Sequence, residues 1–153
     1  TCNVALPKLA LESAGGFDES FTSYGWDDTD LGYRLAERGW RLYYTPEACA
    51  RHVHPPVTIP GLLRRQIELG FGGCRFYAKH RSPEAERAAF WPGSRQARSG
   101  PEWRLRLGAA LAWALERMAP ESALLWRVYG RMVFSCRVRG VEWGRREFPD
   151  AGI

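Results

Sequence analysis

Apolar residues recur at helical spacing in three stretches of the second half of the chain, and this pattern constrains the fold most. The stretches cover residues 59–80, 103–118 and 121–139. A spacing of three and four residues places such side chains along one side of an α-helix. The pattern therefore predicts three amphipathic helices, with a polar linker over 92–101 before the second of them.

Three glycines, Gly70, Gly72 and Gly73, stand in the middle of the first of these stretches. Glycine in a helix interior costs about 1 kcal/mol relative to alanine. A helix that carries three of them needs a compensating interaction. We expect a bend at this point or the close approach of a second helix.

The first half of the chain predicts two helices, each ended by glycine. The first covers residues 7–14, with Pro7 in its first turn and Gly15-Gly16 as its stop. The second starts at Asp27 or Asp28 and runs to Arg38, next to Gly39. Residues 41–45 and 48–54 are predicted to be β-strands, which Pro46 and Pro55-Pro56 terminate.

Composition excludes several classes of protein. Seven Trp, seven Phe and six Tyr supply enough apolar surface to exclude a disordered chain. No run approaches the 18 uncharged apolar residues of a membrane-spanning helix. The four cysteines are scattered without a CxxC pair, which favours a reducing compartment over a disulfide framework.

Charge is distributed unevenly along the sequence. Residues 1–50 carry four Lys and Arg against eight Asp and Glu, whereas residues 51–153 carry eighteen against nine. A basic half is compatible with an anionic membrane, a phosphate-bearing substrate or a solvated helical surface. Nucleic acid is not expected as a partner, because the arginines are spread over several segments and no reader motif is present.

The segment from Gly25 to Leu35 places three carboxylates, Asp27, Asp28 and Asp30, in the first turn of a predicted helix. Carboxylates are common at a helix N-terminus for structural reasons alone, because they cap free N–H groups and complement the helix dipole. At about 100° per residue, Asp28 shares a face with the buried stripe, and Asp30 lies on another face where it can pair with Arg34. An inward carboxylate such as Asp28 needs a partner or a chemical role.

Five short segments of the first 80 residues stand in a recognisable order. They are Asn3-Val4-Ala5-Leu6, Gly15-Gly16-Phe17-Asp18-Glu19, Gly25 to Leu31, Arg38 to Leu42, and Pro46-Glu47-Ala48 leading to His52. In this order and spacing they resemble the acceptor-side half of family 2 glycosyltransferases, which have the GT-A fold. The resemblance implies an α/β fold, with the C-terminal half of a GT-A-type domain over residues 1–80 and a mostly α-helical extension over 81–153.

The resemblance also implies a reaction, in which a sugar passes from a nucleotide-diphosphate donor to an acceptor hydroxyl with inversion at the anomeric carbon. The carboxylate pair of the family matches Asp27-Asp28, and its second member is the usual general base, so Asp28 inherits that role. A positioned general base contributes about 10²–10⁴-fold to rate. Asp27, Trp26 and Asp30 are the implied acceptor contacts, and for Trp26 ordinary loop packing is an equal alternative.

A divalent metal, Mg²⁺ or Mn²⁺, is the implied cofactor. His52 matches a histidine that in many family members ligates this metal or contacts the donor diphosphate. His54 is the alternative, because alternate residues of a strand share a face. Cys49 would point to the opposite face, so a zinc site of these three residues is not expected.

The nucleotide-binding half of the family, with its DxD-type metal motif, is expected before Thr1, and so this chain alone is expected to be inactive. The implied partners are a nucleotide-sugar donor and a glycan or lipid-linked acceptor, as in polysaccharide biosynthesis. The implied location is cytoplasmic, peripheral at the inner face of the cell membrane. The alternative is a non-catalytic helical module that binds a membrane or a partner, with the acidic turn serving only as a helix cap.

The two C-terminal helices suggest an anionic membrane surface as a further partner. Both carry aromatic residues in an apolar stripe together with several arginines, a combination suited to a helix lying in the membrane interface. The other interpretation is that both helices pack on the body of the domain and the arginines are solvated. The sequence leaves both open.

Overall fold

The computed structural model describes residues 3–153, which form two compact units, 3–57 and 58–153. The first unit contains helices α1 (Lys8–Ala14) and α2 (Asp27–Glu37). The second contains α3 (Ile59–His80), α4 (Pro83–Ala89), α5 (Glu102–Met118), α6 (Ala123–Glu147) and a 3₁₀ turn (Pro149–Ala151). Helix α3, predicted as part of the 1–80 domain, thus belongs to the same compact unit as the helices of the predicted extension.

The expected α/β fold is wrong, because residues 3–153 contain helices and irregular segments but no strand. The segments 41–45 and 48–54, predicted to be strands, are irregular and exposed, with Leu42 and Tyr44 each 90% exposed. Strands are stabilised by backbone hydrogen bonds to a neighbouring strand, and strand composition alone does not replace that partner. The described part of the chain offers none, and so these segments do not form the short strands of a GT-A-type domain.

Both predicted glycine stops in the first unit are confirmed. Gly15 ends α1 with a φ of 77°, and the N–H of Gly16 donates to the carbonyl of Leu11 at 3.0 Å. After α2, Gly39 has a φ of 81°, and the N–H of the next residue reaches back to the Leu35 carbonyl at 3.1 Å. These bonds satisfy carbonyls that the helix ends would leave unpaired.

Helix α3 has the predicted bounds, whereas α4 was not predicted. The Thr58 side chain caps α3 by accepting the N–H of Gly61 at 3.3 Å. Ser82 caps α4 in the same way by accepting the N–H of Ala85 at 3.0 Å, and Pro83 occupies the first helical position. Serine followed by proline is a helix-start signal that was present in the sequence.

Helices α3 and α6 cross in direct backbone contact at Gly70 and Gly140. A Cβ added to Gly70 would lie 2.2 Å from the carbonyl oxygen of Arg137, and one added to Gly140 would lie 2.0 Å from that of Ile67. Only glycine allows such an approach. The predicted close approach of a second helix to the glycines of α3 is therefore confirmed at Gly70.

The core of the second unit lies along this crossing. Phe76, Val138 and Val141 are among its fully buried side chains, and the Cys74 thiol is also fully buried there. Helix α6 continues to Glu147, beyond the predicted end at residue 139, because its extra turns complete the packing against α3. Tertiary packing of this kind outweighs the helix-breaking tendency of glycine.

Helix α5 packs on α6 through a separate apolar cluster. Its buried members are Ala112, Leu125, Val128 and Met132. The hydroxyl of Tyr129 on α6 also donates a hydrogen bond to Glu116 on α5. Among the residues that the structure describes, no helix combines the length and the hydropathy needed to cross a membrane.

Candidate active site

The acidic turn, defined as Asp27, Asp28 and Asp30, forms the first turn of α2 as the sequence predicts. The unpaired N–H groups and the dipole at a helix N-terminus favour negative charge at this position. The residue at the N-cap is Trp26, whose side chain makes no cap hydrogen bond. The three carboxylates differ in burial and in partners, and these differences separate their roles.

The turn that leads into α2 has an unusual backbone. Gly25 and Trp26 both adopt the left-handed conformation, with φ values of 78° and 81°. For a residue with a Cβ this conformation costs about 1–3 kcal/mol, and such strain concentrates at functional sites. Trp26 is only 8% exposed, and its carbonyl accepts the N–H of Asp30 at 2.8 Å. Packing of the indole thus holds the strained turn in place.

Asp30 is the fully buried carboxylate of the turn. The Nε atom of Arg34 donates to it at 2.8 Å, and the two side chains are 0% and 12% exposed. The predicted pairing of Asp30 with Arg34 is confirmed, but the fully buried carboxylate of the turn is Asp30 and not Asp28, which helix spacing had aimed inward. The reason is that Arg34 neutralises the carboxylate and so permits its burial.

Arg34 also connects α2 to the end of α1. Its guanidinium donates hydrogen bonds to the carbonyls of Ala14 and Gly16, the latter at 2.8 Å. Carbonyls at a helix C-terminus lack helical partners and favour a cation. Sequence reasoning missed this contact, although the glycine stop of α1 signals carbonyls in need of donors. The Asp30–Arg34 pair therefore fixes the acidic turn against α1.

Asp27 and Asp28 are both half-buried, so each keeps access to solvent. The Oδ1 atom of Asp28 accepts the backbone N–H of Thr29 at 2.8 Å, which orients the carboxylate. The carboxylate of Asp27 has no hydrogen-bond partner within residues 3–153. The turn thus presents one oriented and one unpaired carboxylate above a buried ion pair.

Two of the sequence segments that carry the family resemblance meet in the structure. The side-chain amide of Asn3 donates to the carbonyl of Ala48 at 2.7 Å, across 45 positions of sequence. Arg34 joins α2 to the Gly15-Gly16 segment in a similar manner. The first unit therefore brings segments that are distant in the sequence into contact.

His52 and His54 lie side by side, with ring centroids 3.8 Å apart and planes inclined at 32°. Both are exposed, and they stand in an irregular segment rather than on the predicted strand. Within the described residues, no group of three or more His, Cys, Asp or Glu side chains is arranged to hold a metal ion. Since Mg²⁺ and Mn²⁺ favour oxygen ligands, two imidazoles do not by themselves form a site that fits them.

The chain belongs to glycosyl transferase family group 2, whose family model matches residues 1–138. The predicted resemblance to family 2 glycosyltransferases is thereby confirmed. This family membership supports glycosyl transfer as the general activity. No solved structure gives a significant match.

Three curated relatives match shorter parts of the chain. Chondroitin synthase of Escherichia coli is 44% identical over 54 residues, which is 35% of this chain and 8% of that protein. Validoxylamine A glucosyltransferase of Streptomyces hygroscopicus subsp. jinggangensis is 51% identical over 39 residues, or 26% and 9% of the two chains. The succinoglycan biosynthesis protein ExoA of Rhizobium meliloti is 30% identical over 73 residues, or 48% and 21%. The chain thus spans at most about a fifth of the length of these relatives.

Proposed function

We propose that this chain supplies the acceptor side of an inverting glycosyltransferase, with Asp28 as the general base. The observation that carries the proposal is the acidic turn, where an oriented, half-buried carboxylate is held by a strained backbone and a buried ion pair. Family membership supports the reaction class. Family membership also supports a nucleotide-sugar donor and a glycan acceptor, and we propose a lipid-linked glycan as the alternative acceptor. The names chondroitin synthase and succinoglycan biosynthesis protein support a role in polysaccharide biosynthesis.

In the proposed reaction, the Asp28 carboxylate accepts the proton of the acceptor hydroxyl while that oxygen attacks the anomeric carbon of the donor. The bond from that carbon to the diphosphate breaks, and the nucleoside diphosphate leaves with the bonding electrons. A sugar hydroxyl is a weak nucleophile, so a carboxylate that takes its proton in the transition state contributes about 10²–10⁴-fold.

The neighbouring residues have different proposed roles. Asp27, with an unpaired carboxylate, accepts hydrogen bonds from other hydroxyls of the acceptor and so orients it. Trp26 is mostly buried, and any stacking on a sugar uses the small exposed part of its ring. Asp30 was predicted to contact the acceptor, but its buried carboxylate is bonded to Arg34, and so we propose that it positions the turn.

The metal contact that we propose is His52, with His54 as the alternative. Because the described residues assemble no group of three or more potential ligands, the remaining ligands of a divalent ion come from the donor diphosphate or from other parts of the enzyme. The comparison of His52→Ala with His54→Ala tests the assignment, with Mn²⁺ binding measured by electron paramagnetic resonance in the presence of nucleoside diphosphate. The His52 variant is expected to lose more affinity, and a loss confined to the His54 variant assigns the contact to His54.

The compartment that we propose is the cytoplasm. The three cysteines that the structure describes, Cys49, Cys74 and Cys136, are all unpaired thiols. Thiols persist in reducing compartments such as the cytoplasm.

Steady-state kinetics of the complete enzyme test the division of roles between the two carboxylates. Asp27→Asn is expected to raise the acceptor KM more than it lowers kcat, because it removes binding in the ground state and transition state alike. Asp28→Asn is expected to lower kcat, because proton transfer occurs only in the transition state. A loss of kcat in the Asp27 variant with a raised acceptor KM in the Asp28 variant would instead assign the general base to Asp27.

A further inference from the structure

Helices α5 and α6 line an apolar groove of about 850 Å³ that is open to the surface of the second unit. Its apolar lining residues include Trp103, Leu107, Leu111, Val128, Met132 and Phe134. On the α5 side, Trp103 is 58% exposed, Leu107 60% and Leu111 42%. Exposed apolar side chains that line a groove are typical of surfaces that bind a protein, a ligand or a membrane.

Three arginines, Arg104, Arg127 and Arg131, line the same groove and are exposed. None of them forms an ion pair with another described residue. The Arg104 guanidinium instead lies 5.5 Å from the centre of the Trp103 ring. The groove therefore combines an apolar floor with three cationic groups that no carboxylate of the described chain neutralises.

Three other arginines of these helices differ from the groove arginines in their contacts. Arg106 is paired with Glu102 at 2.9 Å, and Arg117 lies 3.8 Å from the Trp113 ring. Arg137 is buried, with its guanidinium 4.4 Å from the ring of Trp91. Arg106, Arg117 and Arg137 thus each contact a partner within the described chain, whereas Arg127 and Arg131 at the groove have no ion-pair partner there.

We propose that this groove docks the protein on an anionic phospholipid surface, with acyl chains on the apolar floor and phosphate groups at Arg104, Arg127 and Arg131. Charge complementarity selects this occupant. A neutral soluble glycan carries no negative charge for the three arginines, and a second copy of the chain would bring the same three cations face to face. An interfacial helix pair with exposed tryptophan and arginine has the composition that binds membrane surfaces.

Vesicle binding by the full chain tests the proposal. Binding to vesicles of phosphatidylcholine mixed with phosphatidylglycerol is compared with binding to phosphatidylcholine alone, by co-sedimentation. Each arginine near an anionic surface contributes about fivefold, so the double variant Arg127→Gln/Arg131→Gln is expected to bind about 25-fold more weakly. The matched control is Arg106→Gln, whose charge is already paired, and it is expected to change binding less than twofold.

A second variant tests the apolar floor. Leu107→Ala removes exposed apolar surface without opening the core, and it is expected to weaken vesicle binding about fivefold with unchanged dependence on salt. Thermal unfolding of each variant confirms that the fold is intact. Equal vesicle binding by the native protein and the double variant overturns the proposal. So does self-association of the native chain, seen by sedimentation velocity and lost in the double variant, because it assigns the groove to a second copy.

Discussion

Replacement of Gly140 by alanine tests the crossing of α3 and α6, on which the second unit depends. The added Cβ would lie 2.0 Å from the carbonyl oxygen of Ile67 and 2.8 Å from the backbone nitrogen of Phe71. Both atoms belong to the backbone of the other helix, and so no side-chain rotation relieves the contact. To reach the 3.4 Å of an ordinary contact, the helices must separate by about 1.4 Å at this point.

The cost of that separation follows from the packing along the crossing. Overpacking a close-packed core costs about 1–3 kcal/mol, and here the gap also reduces dispersion contacts of fully buried residues such as Phe76 and Val141. The higher helix propensity of alanine offsets about 1 kcal/mol of this loss in the free energy of unfolding. With the overpacking cost at the upper end of its range, we expect a net loss of about 2 kcal/mol, which lowers Tm by about 8–16 °C for a domain of this size.

Gly130 on the same helix provides the matched control. A Cβ at this position meets no atom within 4 Å, and so Gly130→Ala is expected to raise stability by about 0.5–1 kcal/mol. Gly70→Ala, on the facing helix, is expected to act like Gly140→Ala. The double variant Gly70→Ala/Gly140→Ala should lose less stability than the sum of the two single variants, since one separation of the helices relieves both contacts. Thermal unfolding followed by circular dichroism measures all four, and a Gly140→Ala protein as stable as Gly130→Ala refutes the close crossing.

Two further predictions concern buried groups. Arg34→Met is expected to destabilise the first unit by about 3–5 kcal/mol in urea unfolding, because it removes the cation that is paired with the buried Asp30 carboxylate. Adding Asp30→Leu to that variant should recover part of the loss, and no recovery would contradict a buried pair. Iodoacetamide at pH 8 is expected to modify the exposed thiol of Cys49 rapidly, as measured by peptide mass spectrometry. It should leave Cys74 and Cys136 unmodified until the protein unfolds, because burial raises the pKa of both thiols, that of Cys74 to about 12.

Helix positions in this chain were readable from the sequence wherever a local signal determined them. Gly15 and Gly39 end their helices through left-handed backbone geometry, which depends on one residue and its neighbours. The long apolar pattern of α3 likewise predicts its bounds.

Apart from the close helix approach at Gly70, the features that depend on distant contacts could not be predicted from local patterns. Residues 41–45 have the composition of a strand, but a strand needs a partner that the described residues do not supply. The turns of α6 after residue 139 were missed because Gly140 and Gly144 suggest a helix end, while both in fact allow α3 to approach closely.

The acidic turn shows the same division between local and distant effects. Its three carboxylates and the pairing of Asp30 with Arg34 follow from helix spacing. The burial of that pair does not, because it depends on the carbonyls that the end of α1 presents to Arg34. The left-handed conformation of Trp26 had no sequence signal beyond the glycine before it.

The most direct test of Asp28 as the general base is single-turnover sugar transfer by the complete enzyme, preloaded with donor at saturating acceptor. This measurement isolates the chemical step from donor binding and product release. Asp28→Asn keeps the size of the side chain and removes its basicity, so transfer is expected to slow by about 10²-fold or more while the affinity for donor nucleotide is unchanged. A single-turnover rate near that of the native enzyme would contradict the role of Asp28.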